Sequence, residues 1–296
     1  MNKLRTVISL FFVVAMAVCG VYTIKVKMTE DYNPPVITCE EDVISVSVMD
    51  EESALLRGIK AEDNEDGDLT DSVRISSMSH FISDNKRTIT YVVFDSANQV
   101  GTLERTIQYT DYTSPKIYLN EPLRYSVAEM AQTSYLESVT AEDCLDGDLS
   151  KQVRTIFDNS YYNETAGVYP MTLQVSNSAG DLQSISIEVV VIDNADSTER
   201  VKYYPLLSDY IIYTNINQEL DLNQYIIGLE QNDEAYLYDG NPEFQERVEG
   251  RIQISSEVNY KEAGVYEVEY TYTSDAGITA TTKAYVIVEG VHDGEQ

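Results

Sequence analysis

The sequence predicts an all-β protein made of tandem domains that follow one apolar helix at the amino terminus. Three observations predict this fold class. The first is the stretch Thr6–Ile24, which has no charged side chain, and the second is a motif at Ala61–Thr70 that returns at Ala141–Ser150. The third is a set of short runs in which apolar and polar residues alternate, the pattern of half-buried strands.

Composition and charge narrow the class of protein further. The chain has 296 residues, with 50 Asp and Glu against 20 Lys and Arg, a net charge of −30. A hydrophobic fraction of 43% supplies sizeable cores and argues against wholesale disorder. Such a negative charge disfavours nucleic acids and anionic membrane surfaces as partners, because both are repelled.

The apolar stretch Thr6–Ile24 is long enough to cross a membrane. At a rise of 1.5 Å per residue, 19 helical residues cover about 28 Å, close to the thickness of the hydrocarbon core. Lys3 and Arg5 precede it, and basic residues also follow it. We therefore expect a short cytoplasmic tail over residues 1–5, a transmembrane signal anchor over 6–24 and a linker over 25–33.

Two other export signals fit the same segment. Ala15-Met16-Ala17 has the small-x-small pattern of a signal-peptidase site, so a cleaved secretory signal is one alternative. Cys19 allows a lipoprotein, although Val18 is larger than the residue that lipoprotein processing prefers. The flanking charges barely decide the orientation, so the character of the following domains is what places them outside the cytoplasm. We expect the uncleaved anchor, with the protein in the cell membrane by a single pass.

Self-comparison reveals a long-period repeat. Ala61–Thr70 returns as Ala141–Ser150 with seven identities, and Asp31–Ile37 returns as Asp111–Ile117. The residue numbers differ by 80 in both pairs, which indicates duplication of a whole domain. In a later pair, Asp95–Asn98 and Asn177–Gly180, the residue numbers differ by 82.

A third, more divergent copy follows. Ala166–Tyr169 returns as Ala263–Tyr266 at a larger offset, and the stretch 230–250 is interpreted as an insertion. Prolines near the boundaries fix the chain direction and cannot extend a ladder of hydrogen bonds. We therefore expect three domains, over residues 34–113, 114–196 and 197–290, and a tail over 291–296.

Alternating segments predict strands within each copy. The clearest are residues 44–48, 87–93, 185–191 and 266–272. Several short strands in each copy, separated by Gly, Asn and Asp turns, indicate a β-sandwich. The spacing of the strands does not distinguish a sandwich from a barrel.

These residues resemble a known family. The pattern A-x-D-x-x-D-G-D-L-[ST], a later Gly-x-Tyr and a closing [DN]-S-A-[NG] are similar to the bacterial surface immunoglobulin-like repeat, which also occurs in a pesticidal crystal protein. The resemblance covers about residues 33–290. The first copy lacks the Gly-x-Tyr step, and the third lacks the full acidic turn. The resemblance implies tandem immunoglobulin-like sandwiches on the surface of a Gram-positive-like cell, as a spacer or binding module without catalytic residues.

Each of the first two copies carries an acidic turn that suits a calcium ion. Three carboxylates within six residues are hard oxygen ligands, although the spacing differs from that of an EF-hand. The alternative is a turn in which Asp side chains accept backbone N–H groups. Asp31 and Asp111 lie at the domain junctions and are candidates for completing such a site. The candidate calcium ligands are Asp63, Asp66, Asp68, Asp143, Asp146 and Asp148.

The third copy is rich in tyrosine. Of 23 Tyr residues, 12 lie between Tyr203 and Tyr285. Aromatic rings bind sugars by stacking, whereas tyrosine is also common in strands for structural reasons. The candidate residues for a glycan-binding platform are Tyr203, Tyr204, Tyr236 and Tyr238.

The sequence contains no group of residues in a pattern that is typical of a catalytic site. We expect His80 to be an ordinary loop or edge residue and His292 to lie in a polar tail. Cys39 and Cys144 occupy different positions in their copies, which favours two separate thiols. We therefore expect a non-catalytic array at the cell envelope, with an unidentified protein or glycan partner. A glycan-binding or adhesive protein with its site in the third copy is the alternative, and an enzyme is the least supported.

Overall fold

A computed structural model gives the fold of most of the chain. Two compact units divide it, Met1–Tyr109 and Thr110–Gln296. The first unit holds the amino-terminal helix and one sandwich, and the second unit holds two sandwiches. The structure describes residues 2–29, 32–83, 85–130, 135–157 and 165–290.

The apolar amino-terminal segment forms helix α1 (Asn2–Thr29). The helix continues past the predicted span, so residues 25–29 of the predicted linker are helical. Within it, Arg5–Lys25 is long and apolar enough to cross a membrane by length and composition, and its central window is not buried. Phe11 is 76% exposed, so this helix is not a core helix of the sandwiches.

The first sandwich consists of two sheets. One has the strand order β1-β3-β4 and the other β2-β7-β6-β5. A short helix, α2 (Glu52–Leu55), connects β2 to β3. The strands are β1 (Val36–Cys39), β2 (Val43–Val46), β3 (Ile59–Asp63), β4 (Gly67–Asp68), β5 (Arg74–Ser83), β6 (Lys86–Phe94) and β7 (Val100–Tyr109).

The second sandwich repeats this arrangement. Its sheets have the orders β11-β10-β8 and β12-β13-β14-β9, and a short helix, α3 (Val127–Met130), follows β9. The strands are β8 (Lys116–Leu119), β9 (Arg124–Ser126), β10 (Val139–Asp143), β11 (Gly147–Asp148), β12 (Arg154–Phe157), β13 (Gly167–Ser176) and β14 (Leu182–Ile192).

The third sandwich has the orders β15-β17-β18 and β16-β21-β20-β19. Its predicted insertion contains a helix, α4 (Pro242–Glu249), whose start is capped by the Asn241 side chain accepting the N–H of Phe244. The strands are β15 (Tyr204–Leu207), β16 (Ile211–Asn215), β17 (Ile226–Gln231), β18 (Glu234–Leu237), β19 (Ile252–Ser256), β20 (Gly264–Thr273) and β21 (Thr279–Glu289).

One topological feature recurs in all three sandwiches. The second strand of each copy pairs in parallel with its last strand, as β2 with β7, β9 with β14 and β16 with β21. In each sandwich, the first strand therefore belongs to one sheet and the second strand belongs to the other. The prediction of tandem immunoglobulin-like sandwiches behind an apolar helix is confirmed, and the barrel is excluded because each copy has two separate sheets.

The predicted strands lie where the alternation placed them. Residues 87–93 lie in β6, 185–191 in β14 and 266–272 in β20, and part of the first predicted strand lies in β2. Buried and partly exposed positions alternate along β6. One face of each such strand therefore contributes to the core, which explains why the sequence pattern is clear.

Packing joins the second and third sandwiches. Their buried apolar residues form one continuous cluster that includes Ile117 and Leu119 of the second copy and Tyr210, Ile211 and Tyr285 of the third. Burial of this shared apolar surface stabilises the pair as one unit. The second and third sandwiches therefore form one packed unit and are not joined by a linker alone.

Candidate functional site

The acidic turn of the first sandwich lies between β3 and β4. Asp63 Oδ1 accepts the N–H groups of Glu65 at 2.8 Å and Asp66 at 2.9 Å. Asp68 Oδ1 accepts the N–H of Thr70 at 2.9 Å. These bonds stabilise the charged form, so the backbone N–H of Asp66 lowers the pKa of Asp63, and Thr70 lowers the pKa of Asp68.

The acidic turn of the second sandwich has the same geometry. Asp143 Oδ1 accepts the N–H groups of Leu145 and Asp146 at 2.9 and 3.0 Å. Asp148 Oδ1 accepts the N–H of Ser150 at 2.9 Å, and the hydroxyl and N–H of Ser150 lower the pKa of Asp148. In both turns, one carboxylate oxygen of the first and third Asp is thus occupied by the backbone.

The middle Asp of each turn reaches the other sheet. Asp66 Oδ2 accepts the N–H of Ser96 at 2.6 Å, and Asp146 Oδ2 accepts the N–H of Ser178 at 2.5 Å. Each bond joins the acidic turn to the hairpin between the last two strands of its sandwich. Within the described residues, no group of three or more His, Cys, Asp or Glu forms a metal site. Calcium binding by these six residues stays a prediction.

The four candidate tyrosines do not form one platform. The rings of Tyr203 and Tyr236 lie 6.2 Å apart, and Tyr236 is 36% exposed. Tyr204 instead donates its hydroxyl to Glu199 at 2.7 Å, with its ring under the guanidinium of Arg124. Tyr238 is only 8% exposed and its ring packs on Phe244. Of the four, Tyr203 and Tyr236 are the pair whose rings lie side by side, and glycan binding by these tyrosines stays a prediction.

A different tyrosine builds the junction of the second and third sandwiches. Tyr213 lies on β16 and points at the edge strand β8. Its hydroxyl accepts the N–H of Ile117 at 2.8 Å and donates to the carbonyl of Ile117 at 3.0 Å. The N–H of Tyr210 also donates to the carbonyl of Leu119 at 2.8 Å. The third sandwich thus satisfies backbone groups that an edge strand would otherwise leave open.

Ion pairs surround this junction. Arg124 and Glu230 are joined at 2.5 Å and have side chains only 7% and 16% exposed. Lys116 pairs with Glu289 at 2.8 Å. Each pair joins a residue of the second sandwich to one of the third, so complementary charges as well as apolar packing fix their orientation.

Lys283 extends the same network. It contacts Glu188 of the second sandwich and Glu267 of the third, both at 2.8 Å. Next to it, the N–H of Glu188 donates to the hydroxyl of Tyr285 at 2.9 Å. Sequence reasoning missed these residues, because the partners from the two sandwiches lie far apart in the chain and no motif links them.

A cleft of about 630 Å³ opens beside the junction. Two of its polar lining side chains are paired, since Tyr204 donates its hydroxyl to Glu199 and Arg124 binds Glu230. The cleft lies where the two sandwiches pack together, and among the described residues the buried hydroxyl of Thr282 on its lining has no hydrogen-bond partner. Its lining includes Arg124, Glu188, Tyr204, Tyr210, Lys283 and Tyr285.

The remaining candidates have ordinary positions. His80 is an exposed residue of β5, an edge strand, as predicted. Cys39 and Cys144 are free thiols, also as predicted, and Cys144 Sγ donates to the carbonyl of Thr113 at 3.1 Å. Asp31 and His292 lie outside the described residues.

Comparison with known proteins identifies no family. No family model matches the chain. An uncharacterized 81.3 kDa protein of Acholeplasma phage L2 is 21% identical over 199 residues, which covers 64% of this chain. The match spans only 23% of the phage protein. The family resemblance proposed from the motifs therefore stays a prediction.

Similar solved structures are distant. A Clostridium perfringens ZmpB structure, CBM51-2 in complex with GlcNAc and INT domains, is 19% identical and has a TM-score of 0.22 over 51% of this chain and 26% of that one. Mouse cadherin-23 EC22–24 is 11% identical, with a TM-score of 0.21 over 88% of this chain and 100% of that one. Drosophila N-cadherin EC1–3 is 10% identical, with a TM-score of 0.25 over 74% and 89%. Scores this low transfer no property of these proteins to the chain.

Proposed function

We propose that the protein is a non-catalytic, membrane-anchored array of immunoglobulin-like sandwiches that acts outside the cytoplasm as a spacer or protein-interaction module of the cell envelope. The observation that carries this proposal is the exposed apolar helix Arg5–Lys25 ahead of the sandwiches. An isolated apolar helix of this length is stable in a bilayer, where its backbone is internally hydrogen-bonded.

The junction of the second and third sandwiches supports the spacer function. A flexible linker would let two domains move independently, whereas here ion pairs, backbone bonds and a shared core hold them together. Two domains with a fixed relative orientation keep the two ends of the pair at a fixed distance. It also presents one constant surface to a partner.

Membrane extraction and intact mass test the anchor. The protein expressed in bacterial cells should stay in the membrane after alkaline carbonate washing and should have the mass of the uncleaved chain. A mass that begins at Val18 would show a cleaved signal, and a lipid-modified chain beginning at Cys19 would show a lipoprotein. Either mass would contradict the signal anchor.

A charge in the middle of the helix provides a variant that tests membrane insertion, and a charge on an exposed strand provides its control. Val13→Arg places a cation near the centre of the span, where it costs about 2.5–3.5 kcal/mol for insertion. We expect this variant to leave the membrane fraction in part, whereas Val43→Arg, at an exposed strand position, should not. Equal membrane retention of both variants would contradict anchoring by the helix.

Glycan binding is the second candidate function, and one observation favours it. Tyr203 and Tyr236 place two neighbouring rings on the third sandwich, one of them partly exposed. A glycan array with the full chain in detergent tests this candidate, with Tyr236→Ala as the variant that should lose any signal. An array without signal above background would exclude the sugars tested.

A further inference from the structure

We propose that Asp63 and Asp95 bind a divalent cation within the first sandwich, at a position that the second sandwich fills with the side-chain amide of Asn177. The ligand set differs from the one that the sequence predicts. It includes Asp95, it leaves Asp66 and Asp68 as turn caps, and it assigns no such site to the second sandwich.

The two sandwiches provide an internal comparison at this place. In the second, Asn177 Nδ2 donates to Asp143 Oδ2 at 3.0 Å and to the hydroxyl of Tyr112 at 2.8 Å. Asp143 corresponds to Asp63 at the offset of 80, and Asn177 corresponds to Asp95 at the offset of 82. The first sandwich therefore has a carboxylate where the second has an amide donor.

The hydrogen bonds around both sites show that this correspondence holds in three dimensions. Asp63 pairs with Gly67 across β3 and β4, as Asp143 pairs with Gly147 across β10 and β11. The hairpin beginning at Asp95 is closed by the N–H of Asp95 on the carbonyl of Gln99, as Asn177 closes on Asp181. The bonds to Ser96 and Ser178 dock the acidic turns in the same way. By this correspondence, we place the carboxylate of Asp95 opposite Asp63 Oδ2.

Both carboxylates are buried, and each lacks part of its hydrogen bonding. Asp63 is 9% exposed and Asp95 is 6% exposed. The Oδ2 atom of each is fully buried and has no hydrogen-bond partner among the described residues. A buried carboxylate oxygen without a donor or a cation is unfavourable, because nothing replaces its lost hydration. Two of them at one place indicate that a positively charged group completes the site.

The two segments that carry these carboxylates supply no such group. Between Ala61 and Thr70 the charged residues are all acidic, and between Phe94 and Gly101 the only charged residue is Asp95. Two buried carboxylates with no basic residue in either segment leave a place for a cation from solution. Asp66 and Asp68 differ from this pair, because Asp66 Oδ2 accepts the N–H of Ser96 and Asp68 Oδ1 accepts the N–H of Thr70.

The chemistry of the ligands fits a hard divalent ion. Carboxylate oxygens are preferred by Ca²⁺ and Mg²⁺, and Mg²⁺ is commonly held by one or two carboxylates with water on its other positions. The described residues provide no third carboxylate at this place. We therefore expect one ion per chain, held by two carboxylates with water or backbone oxygens on the remaining positions.

Calorimetric titration of the full chain in detergent at neutral pH tests the proposal, with CaCl₂ and MgCl₂ as probes. The wild-type chain should bind one ion with at least one of them. Asp95→Asn copies the second sandwich, so it should fold and bind none. Asp68→Asn alters only a turn cap and should still bind one ion. No binding by the wild-type chain, or equal binding by Asp95→Asn, would overturn the proposal.

The reciprocal variant tests the same site from the other side. Asn177→Asp recreates the carboxylate pair in the second sandwich and should raise the stoichiometry from one ion to two. Thermal unfolding supplies a readout independent of heat. At a hundredfold excess over Kd, the ion should raise the melting temperature of the wild-type first sandwich by roughly ten degrees. A melting temperature that changes with pH but not with either ion would show a shared proton and contradict the cation site.

Discussion

At the scale of single residues, the hydroxyl of Tyr213 joins the second and third sandwiches. It satisfies both the N–H and the carbonyl of Ile117, a residue of the other sandwich that lies 96 positions away in the chain. Lys116 lies 4.9 Å from the centre of the same ring and also pairs with Glu289. Burial raises the pKa of Tyr213, so its hydroxyl keeps its proton at neutral pH and can donate.

Removing that hydroxyl should weaken the junction. Tyr213→Phe leaves the backbone of Ile117 without partners, and we expect a loss of about 1–3 kcal/mol in the free energy of unfolding of the second unit. Urea unfolding of the full chain in detergent measures it. Tyr266→Phe is the control, because its hydroxyl makes an exposed bond within one turn, and it should change stability by less than about 0.5 kcal/mol. Equal losses for both would contradict the assigned contact.

At the scale of elements, the acidic turns depend on backbone conformation as much as on carboxylates. Gly67 has φ of 75° and Gly147 has φ of 73°, in the left-handed region that other residues rarely adopt. A Cβ at either glycine would meet nothing within 4 Å. The glycines are therefore needed for the direction of the chain and not for space.

Gly147→Ala should destabilise the second sandwich by about 1–2 kcal/mol, the cost of a left-handed conformation with a Cβ. Gly250→Ala is the matched control, since that glycine also has open space but an ordinary helical φ of −67°. It should be neutral or slightly stabilising. Urea midpoints of the two variants measure the difference, and a Gly147→Ala chain as stable as wild type would contradict this account of the turn.

Sequence reasoning located the local features and missed the long-range ones for a physical reason. Alternation along a strand and the turn motif are properties of neighbouring residues, so β6, β14, β20 and both acidic turns were predictable. Helix α4 had a usable signal, Asn241 followed by Pro242, which is a typical helix start. The partners of Tyr213 and the proposed site of Asp63 and Asp95 depend on how distant strands meet, which local patterns do not contain.

At the scale of the whole molecule, tyrosines make the third sandwich sensitive to alkali. Burial raises the pKa of Tyr210 to about 12 and raises that of Tyr270 and Tyr285 above the ordinary value of 10.0. Between these values the unfolded chain releases protons that the folded chain retains. Stability therefore falls as the pH rises above about 10.

Urea midpoints measured from pH 8 to pH 12 test this dependence. We expect no change due to tyrosine below about pH 9 and a progressive fall above pH 10, accompanied by tyrosinate absorbance on unfolding. The variant Tyr210→Phe removes one titrating group, so its midpoint should fall less steeply. A midpoint independent of pH above 10 would contradict the burial of these hydroxyl groups.

We propose that the sandwiches lie outside the cytoplasm on an amino-terminal anchor. Labelling of single cysteines with a membrane-impermeant maleimide in intact bacterial cells tests it most directly. The native cysteines Cys19, Cys39 and Cys144 are first replaced by serine. Met49, which is 83% exposed in the first sandwich, is then replaced by cysteine in one chain, and the exposed Ala276 of the third sandwich in another.

A third chain with Asn2→Cys provides the internal control, because the account places residue 2 in the cytoplasm. We predict that Met49→Cys and Ala276→Cys react as fully in intact cells as after lysis, whereas Asn2→Cys reacts only after lysis. Reaction of the two sandwich cysteines only after lysis, with Asn2→Cys open to the reagent in intact cells, would contradict the proposed topology.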